Sequence, residues 1–162
     1  MSTIYPVQLQ TLYHYTDTLG LVGILNSGKI LQAFTIKGNG VFFTRLHPEN
    51  GKEVLARNNY NNAYLSKQDK VSCYIRILIP IDEIYFDHFS QGRDIFIVPG
   101  RDIHLHDYTW GFGCTDVGGS VCNLLGKVIL QSEPKAEPIF QQRGFEGKRG
   151  YCKLIYRIAC QA

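Results

Sequence analysis

A period-two alternation of apolar and polar residues over several stretches predicts β-strands. Residues 71–81 are the longest of these, with apolar side chains sharing one face at Val71, Cys73, Ile75, Ile77 and Ile79. Residues 12–16 (LYHYT) predict a short aromatic strand, and residues 41–44 and 95–98 are compact apolar runs typical of buried strands. Further strands are predicted at 128–130 and 151–159.

Two regions have helical character. A helix is predicted from about Thr18 to Asn26, because Thr16 or Asp17 can cap its start and Gly28 suits the left-handed residue that ends it. A second helix is predicted within residues 50–65. Gly38-Asn39-Gly40 predicts a turn, and the glycines of residues 111–119 predict a loop. Helices early in the chain and strands later predict an α+β fold with a mostly antiparallel sheet.

Composition narrows the class of protein. The 162 residues fit a single domain spanning 1–162, and 44% hydrophobic with 19% charged residues excludes a disordered chain. No apolar run reaches the roughly 18 residues of a membrane span, and a net charge of +3 is too small to indicate a nucleic-acid-binding protein. The N-terminal residues lack a secretion signal, so a cytoplasmic location is expected.

The five cysteines do not predict a disulfide framework or a zinc site. Their number is odd and no C-x-x-C pair occurs among Cys73, Cys114, Cys122, Cys152 and Cys160. Reduced, mostly buried thiols are therefore expected.

Three features are candidates for chemistry, and each also has an ordinary structural interpretation. His14 lies between Tyr13 and Tyr15 at a strand end, where it can hydrogen-bond a ligand or be satisfied within the core. The stretch 38–44 combines glycines, which let a ligand approach the backbone, with Phe42 and Phe43 on opposite faces. Asp94 directly precedes an apolar strand, where a carboxylate can face a cleft or cap a turn.

The order of these segments resembles the start of the ADP-ribosyltransferase fold. LYHYT, a helix ending at Ser27-Gly28, and GVFFT at 40–44 are most similar to the His-Tyr-Asp group of toxin-type ADP-ribosyltransferase domains. Residues 48–60, 71–80 and 96–105 (FIVPGRDIHL) resemble later segments of that group. The resemblance covers about residues 12–108.

The resemblance implies a split, strongly bent, mostly antiparallel sheet that holds NAD as a substrate. It implies a mono-ADP-ribosyltransferase that cleaves the nicotinamide–ribose bond and transfers ADP-ribose to a protein, nucleic-acid or small-molecule acceptor. Such a protein would act in the cytosol, either as an endogenous enzyme or as an effector delivered there. By position, the acceptor loop would lie around residues 110–119.

The resemblance also assigns roles to individual residues. His14 would bind a ribose hydroxyl, and Phe42 would stack on nicotinamide, although the family usually has tyrosine at this position. Asp94 would be the acid that polarises the ribose, with Asp102 and Glu133 as alternatives. The remaining NAD-binding residues would be Tyr15, Thr16, Gly40, Phe43 and Tyr60.

Other functions remain open. The domain could be an NAD glycohydrolase that releases free ADP-ribose, or a catalytically degenerate module that binds NAD or ADP-ribose. ADP-ribosyl transfer needs no metal, but metal-assisted hydrolysis is a separate hypothesis, because His104 and His106 alternate on a predicted strand and His88 and Asp107 could join them.

Overall fold

The computed structural model describes residues 7–36 and 38–115, together with the backbone of two short strands at 139–141 and 144–146. The two α-helices of this part are α1 (Thr18–Ser27) and α2 (Lys52–Tyr60). Its strands are β1 (Leu9–Thr16), β2 (Lys29–Ile30), β3 (Ala33–Thr35), β4 (Gly38–Phe43), β5 (Cys73–Pro80), β6 (Tyr85–Phe86), β7 (Phe96–Pro99), β8 (Ile103–His104), β9 (Thr109–Cys114), β10 (Ile139–Gln141) and β11 (Gly144–Glu146). Short 3₁₀ helices span Pro48–Asn50, Asn61–Val71, Ile81–Glu83, His88–Ser90 and Leu105–Asp107. The strands predicted at 128–130 and 151–159 lie outside the described residues.

The described residues form an α+β structure whose paired strands are all antiparallel, in agreement with the fold class predicted from the sequence. One sheet has the strand order β1-β5-β9-β11-β10, and a second has the order β3-β4-β7-β6. A third pairs β2 with β8. No helix in the described residues is long and apolar enough to cross a membrane.

Strand β5 lies between β1 and β9 in the larger sheet, and one of its faces is buried, as its alternating pattern predicts. It pairs with β1 over eight residues and with β9 over six. Its inward-facing side chains, at Cys73, Ile75, Ile77 and Ile79, are completely buried. Val71 precedes the strand in a 3₁₀ helix and packs in a second cluster, with Tyr13, Tyr15, Tyr74 and two residues of α2. The two clusters therefore cover opposite faces of the β1–β5 pair and hold β1 in place.

The two larger sheets are joined, within the described residues, by one β-bridge between Tyr13 and Thr44. The Tyr13 N–H donates to the Thr44 carbonyl at 2.8 Å, and the Thr44 N–H donates back at 3.0 Å. The residues of β1 that follow Tyr13 pair with β5, whereas β4 pairs with β3 and β7. The two sheets therefore separate beside residues 14–16, and we refer to this gap as the split between the sheets.

Helix α1 begins and ends at the predicted signals. The Asp17 carboxylate accepts a hydrogen bond from the Gly20 N–H at 2.7 Å, which caps the first turn. Gly28 has φ +72° and donates its N–H to the Ile24 carbonyl at 2.8 Å. This is the left-handed ending that glycine makes without steric cost. The helix is one residue longer than predicted.

The second helix is shorter than the predicted region 50–65. It ends at Tyr60, because Asn61 has φ +51°, and the chain continues as a 3₁₀ helix to Val71. Asparagine is a weak helix former that tolerates the left-handed region better than most residues. The polar run 58–62 therefore stops the α-helix early.

Two predictions based on glycine are wrong. Gly38-Asn39-Gly40 is the start of β4 rather than a turn. Gly111 and Gly113 lie within β9 rather than in a loop, opposite Arg76 and Tyr74 of β5. Directly opposed residues share a face of the sheet, so a glycine makes room for the large side chain facing it.

Residues 110–114, the first part of the stretch expected to form the acceptor loop, belong to strand β9 instead. Trp110 and Phe112 are buried in the core on β9, and residues 116–119 lie outside the described residues. Two of the cysteines are described: Cys73 is buried, Cys114 is partly buried, and both are thiols, as expected.

A pair of glycine substitutions tests the packing of β4 on β7. A Cβ on Gly40 would lie 2.4 Å from the Val98 carbonyl oxygen, whereas one on Gly23 of α1 would meet nothing within 4 Å. We expect Gly40→Ala to lower the free energy of unfolding by about 1–3 kcal/mol. Gly23→Ala should leave it unchanged or raise it by up to ~1 kcal/mol. Urea unfolding measures both, and equal stabilities for the two variants would contradict this packing.

Candidate functional site

A cavity of about 410 Å³ lies where the two sheets separate. Its walls come from β1, β3, β4, the end of α2 and the segment that precedes β7. This volume is within the usual range for small-molecule sites. Five residues predicted from the sequence line it, namely His14, Tyr15, Phe42, Phe43 and Tyr60.

His14 spans the split between the sheets. Its Nδ1 lies 2.9 Å from the carbonyl oxygen of Phe42, across the gap between β1 and β4. A carbonyl oxygen can only accept a hydrogen bond, so Nδ1 carries the hydrogen. In the neutral ring, Nε2 is then a hydrogen-bond acceptor.

The environment of His14 favours the neutral ring. Burial lowers the pKa of His14 below its ordinary value of 6.5, and the hydrogen bond to the Phe42 carbonyl opposes this shift only in part. The ring also packs edge-on against Phe43, with the ring centres 5.8 Å apart. At neutral pH the His14 side chain in the cavity lining is therefore a neutral imidazole, whose Nε2 can accept a hydrogen bond.

The two phenylalanines of β4 both border the cavity but differ in burial, as expected for neighbouring residues on opposite faces of a strand. Phe43 is 2% exposed and belongs to the main core, whereas Phe42 is partly exposed at the cavity. Tyr60, the last residue of α2, provides a further aromatic surface. The cavity can therefore hold a flat ring against aromatic walls.

Tyr15 contributes its ring but not its hydroxyl. The hydroxyl donates to the Leu46 carbonyl at 2.7 Å, and the ring stacks on Tyr13 at 6.1 Å. Burial, with Tyr13 and Tyr74 close by, raises the pKa of Tyr15 far above its ordinary value. Its phenol is therefore unsuited to proton transfer.

Two predicted ligand-binding residues do not line the cavity. Gly40 faces β7, where the Val98 carbonyl and the Ile97 side chain leave no space for a Cβ. Thr16 lies against the first turn of α1, with its hydroxyl beside Gly20. Their observed contacts are with the protein itself.

Asp94, the carboxylate predicted first as the acid, also lies outside the cavity lining. One of its oxygens accepts hydrogen bonds from the Thr44 hydroxyl at 3.0 Å and the Arg45 N–H at 2.7 Å. The other accepts from Arg45 Nε at 2.8 Å and pairs with Nη2 at 2.7 Å. Burial alone would raise the pKa of Asp94, but these hydrogen bonds and the charge of Arg45 outweigh it and lower the pKa.

Asn58 of α2 extends this network. Its amide oxygen accepts from the Asp94 N–H, and its amide nitrogen donates to the Asp94 carbonyl, both at 2.8 Å. The same nitrogen lies 3.2 Å from the Thr44 hydroxyl. We refer to Thr44, Arg45, Asn58 and Asp94 as the Asp94 clamp. It joins α2 to the end of β4 and to the segment that precedes β7.

Of the two alternative acids, only Asp102 is among the described residues, and it does not line the cavity. The Asp102 carboxylate accepts from the Gln32 N–H at 2.8 Å, between β2 and β3, away from the lining. Glu133 lies outside the described residues.

Two charged residues that the sequence reasoning missed do line the cavity, namely Asp87 and Arg93. One oxygen of Asp87 accepts from the Phe89 N–H at 3.0 Å, at the start of a 3₁₀ helix. Arg93 and Ile95 both face the cavity, whereas Asp94 between them faces the clamp. The alternation of an extended chain could have predicted this, because it places Arg93 and Ile95 on one face and Asp94 on the other.

The hypothesis of metal-assisted hydrolysis receives no support from the described residues. They contain no group of three or more potential metal-binding side chains. The His104 and His106 rings are 5.9 Å apart, and His106 lies in a 3₁₀ helix with its Nε2 at 3.2 Å from Asp107.

Comparisons with protein-family models, curated proteins and solved structures found no match to this chain. Its function must therefore be inferred from its own residues.

The Asp94 clamp predicts a pH-dependent stability. In Asp94→Asn, an amide N–H₂ would replace an oxygen facing Arg45, so we expect a loss of about 1–2 kcal/mol in unfolding free energy at pH 6. Because folding lowers the Asp94 pKa, this stabilisation is complete above the unfolded pKa and disappears as the pH falls below about 4. Denaturant unfolding of both proteins at pH 6 and pH 3 measures the change. The exposed Asp82→Asn is the control, and a pH-independent difference would contradict the expectation.

Proposed function

We propose that this protein is an NAD-dependent mono-ADP-ribosyltransferase, which breaks the nicotinamide–ribose bond and transfers ADP-ribose to an acceptor. The observation that carries the proposal is the position of His14, with Nδ1 bound to the Phe42 carbonyl at the split between the sheets. This leaves Nε2 as the acceptor for a ribose hydroxyl. The sequence resemblance to the His-Tyr-Asp group, which has a histidine on its first strand, supports the same role.

The walls of the cavity suit the departing group. Nicotinamide is a flat aromatic ring, and Phe42 and Tyr60 both offer aromatic surface in the cavity. When the ring leaves as a neutral base, positive charge develops on the ribose, as in glycoside cleavage. The enzyme then needs to orient the ribose and to place a negative charge nearby, and it needs no strong acid.

The carboxylate that best meets this need is Asp87 rather than Asp94. Both oxygens of Asp94 are engaged in the clamp, whereas Asp87 lines the cavity and uses one oxygen to cap a 3₁₀ helix. A carboxylate near the developing cation lowers the energy of the transition state by electrostatic attraction. In this proposal Asp94 positions the cavity walls and Asp87 acts on the substrate.

Nicotinamide release from NAD by the full chain is the first test. We expect wild-type protein to release nicotinamide and His14→Ala to reduce the rate about 100-fold, because the ribose would lose its orientation. His106→Ala, a largely exposed histidine elsewhere, should retain the wild-type rate. The rate should be constant above pH 7 and fall below the His14 pKa, which lies under 6.5, because protonation removes the Nε2 acceptor. Equal rates for His14→Ala and wild type would contradict the role of His14.

Two isosteric variants separate the candidate acids. We expect Asp87→Asn to lower the rate of nicotinamide release about 100-fold, because it removes the charge near the ribose but keeps the side-chain shape. Asp94→Asn should lose stability but retain most activity in the temperature range where it is folded. The reverse result would return the catalytic role to Asp94.

A binding module for NAD or ADP-ribose is the second candidate. The observation that favours it is the absence of a hydroxyl at Phe42, together with the engagement of Asp94 in the clamp. Calorimetry would then detect NAD binding without nicotinamide release, with or without added acceptors. If nicotinamide is released and free ADP-ribose accumulates in the presence of candidate acceptors, the protein is an NAD glycohydrolase.

A further inference from the structure

Arg93 is a fixed cation at the wall of the cavity. Its Nε donates to the Ser90 carbonyl at 2.9 Å, and its Nη1 donates to the Asn58 carbonyl at 2.7 Å. These two carbonyls belong to different elements, one in a 3₁₀ helix and one in α2, so they hold the guanidinium in one orientation. A neutral carbonyl orients a cation but does not cancel its charge.

Arg93 differs from three other arginines of the described residues because its charge is not paired with a carboxylate. Arg45, Arg57 and Arg101 each form an ion pair, with Asp94, Glu53 and Glu83 respectively. Among the residues that the structure describes, no carboxylate lies within ion-pair distance of Arg93, although its side chain is only partly exposed. A partly buried cation without a counter-ion favours binding of an anion from solution.

We propose that Arg93 binds the phosphate or pyrophosphate group of a nucleotide in the cavity. The guanidinium has five N–H groups, of which two are used by the backbone carbonyls, leaving three as donors. Both N–H groups of Nη2 are among these three. The planar fork of arginine matches the spacing of phosphoryl oxygens, which accept two parallel hydrogen bonds from it.

The other walls of the cavity specify the rest of the ligand. His14 offers an acceptor for a ribose hydroxyl, and Phe42 and Tyr60 offer surfaces for a base. A ring, a sugar and a phosphate together form a nucleotide. The inference rests on the proposed function in that the pyrophosphate of NAD would be the group bound, but it applies to any nucleoside phosphate that enters the cavity.

Asp87 gives the inference an independent check. It lines the same cavity, so its negative charge opposes the binding of a phosphate. In Asp87→Asn the amide oxygen can still accept from the Phe89 N–H, which preserves the cap. This variant should therefore bind a phosphate-bearing ligand more tightly, with little effect on an uncharged one.

The experiment compares ADP with adenosine, which lacks the phosphates, by calorimetry on the full chain at low salt. Wild-type protein should bind ADP more tightly than adenosine. We expect Arg93→Gln to weaken ADP binding about tenfold or more and to leave adenosine binding unchanged, since a charge-assisted hydrogen bond is lost. Arg57→Gln, which removes an ion-paired arginine from the exposed side of α2, is the matched control and should change neither affinity.

Arg93→Gln also removes contacts between two elements, so thermal unfolding of each variant accompanies the titrations. If Arg93→Gln is unfolded, Asp87→Asn decides: a severalfold gain in ADP affinity without a gain for adenosine supports the subsite. Unchanged ADP affinity in a folded Arg93→Gln, or no preference of wild type for ADP over adenosine, would overturn it.

The outcomes for this subsite and for the proposed function are separable. Arg93-dependent binding of ADP without nicotinamide release from NAD would support the phosphate subsite and reject the enzyme. Nicotinamide release with the same KM for NAD in Arg93→Gln and wild type would support the enzyme and reject the subsite.

Discussion

The hydrogen bond between His14 and the Phe42 carbonyl is the interaction on which the site depends. Within the part of the chain that the structure describes, backbone pairing between the two sheets consists of the Tyr13–Thr44 bridge, and the Phe42 carbonyl has no backbone partner on β1. A buried carbonyl without a partner is costly, so a side chain must replace the missing backbone donor. Histidine is suited to this because one nitrogen donates to the carbonyl while the other can still accept a hydrogen bond. The same bond thus stabilises the split and selects the tautomer.

The opposite wall is held by the Asp94 clamp. The Asn58 amide pairs with both the N–H and the carbonyl of Asp94, much as a neighbouring strand would, and this fixes the backbone next to Arg93. Arg93 in turn donates to the Asn58 carbonyl, so the orientation of its guanidinium depends on the clamp. The position of Asp94 before a buried strand therefore has a structural reason, since its carboxylate holds the clamp together. Its hydrogen bonds and the charge of Arg45, rather than any group in the cavity, lower its pKa.

The sequence predicted the elements whose signals are local. The alternating face of β5 and the Asp17 and Gly28 ends of α1 depend on neighbouring residues, and the structure confirms them. The glycines at 38–40 and 111–113 were wrongly interpreted as turn and loop residues, because contacts with a strand distant in sequence explain why glycine is needed there. Gly40 lies against Val98, and Gly111 and Gly113 lie opposite Arg76 and Tyr74. Strand alternation predicted that Phe42 and Phe43 lie on opposite faces, whereas the choice of Phe42 and His14 as site residues came from the family resemblance. Asp87 was missed because it caps a short 3₁₀ helix, which carries no periodic signal, whereas Arg93 was missed because the alternation of residues 93–95 was not applied to it.

The charges of the cavity also fit together. With His14 neutral, the charged side chains of the lining are one carboxylate, Asp87, and one guanidinium, Arg93. NAD, the substrate that we propose, has a matching separation of charge, because its nicotinamide ring is cationic and its pyrophosphate is anionic. A site with two opposite charges can hold such a ligand in one direction, since reversal would place like charges together. Held that way, the carboxylate would already face the end of NAD where positive charge moves from ring to ribose during cleavage. Orientation of the substrate and stabilisation of its transition state would then depend on the same pair of side chains.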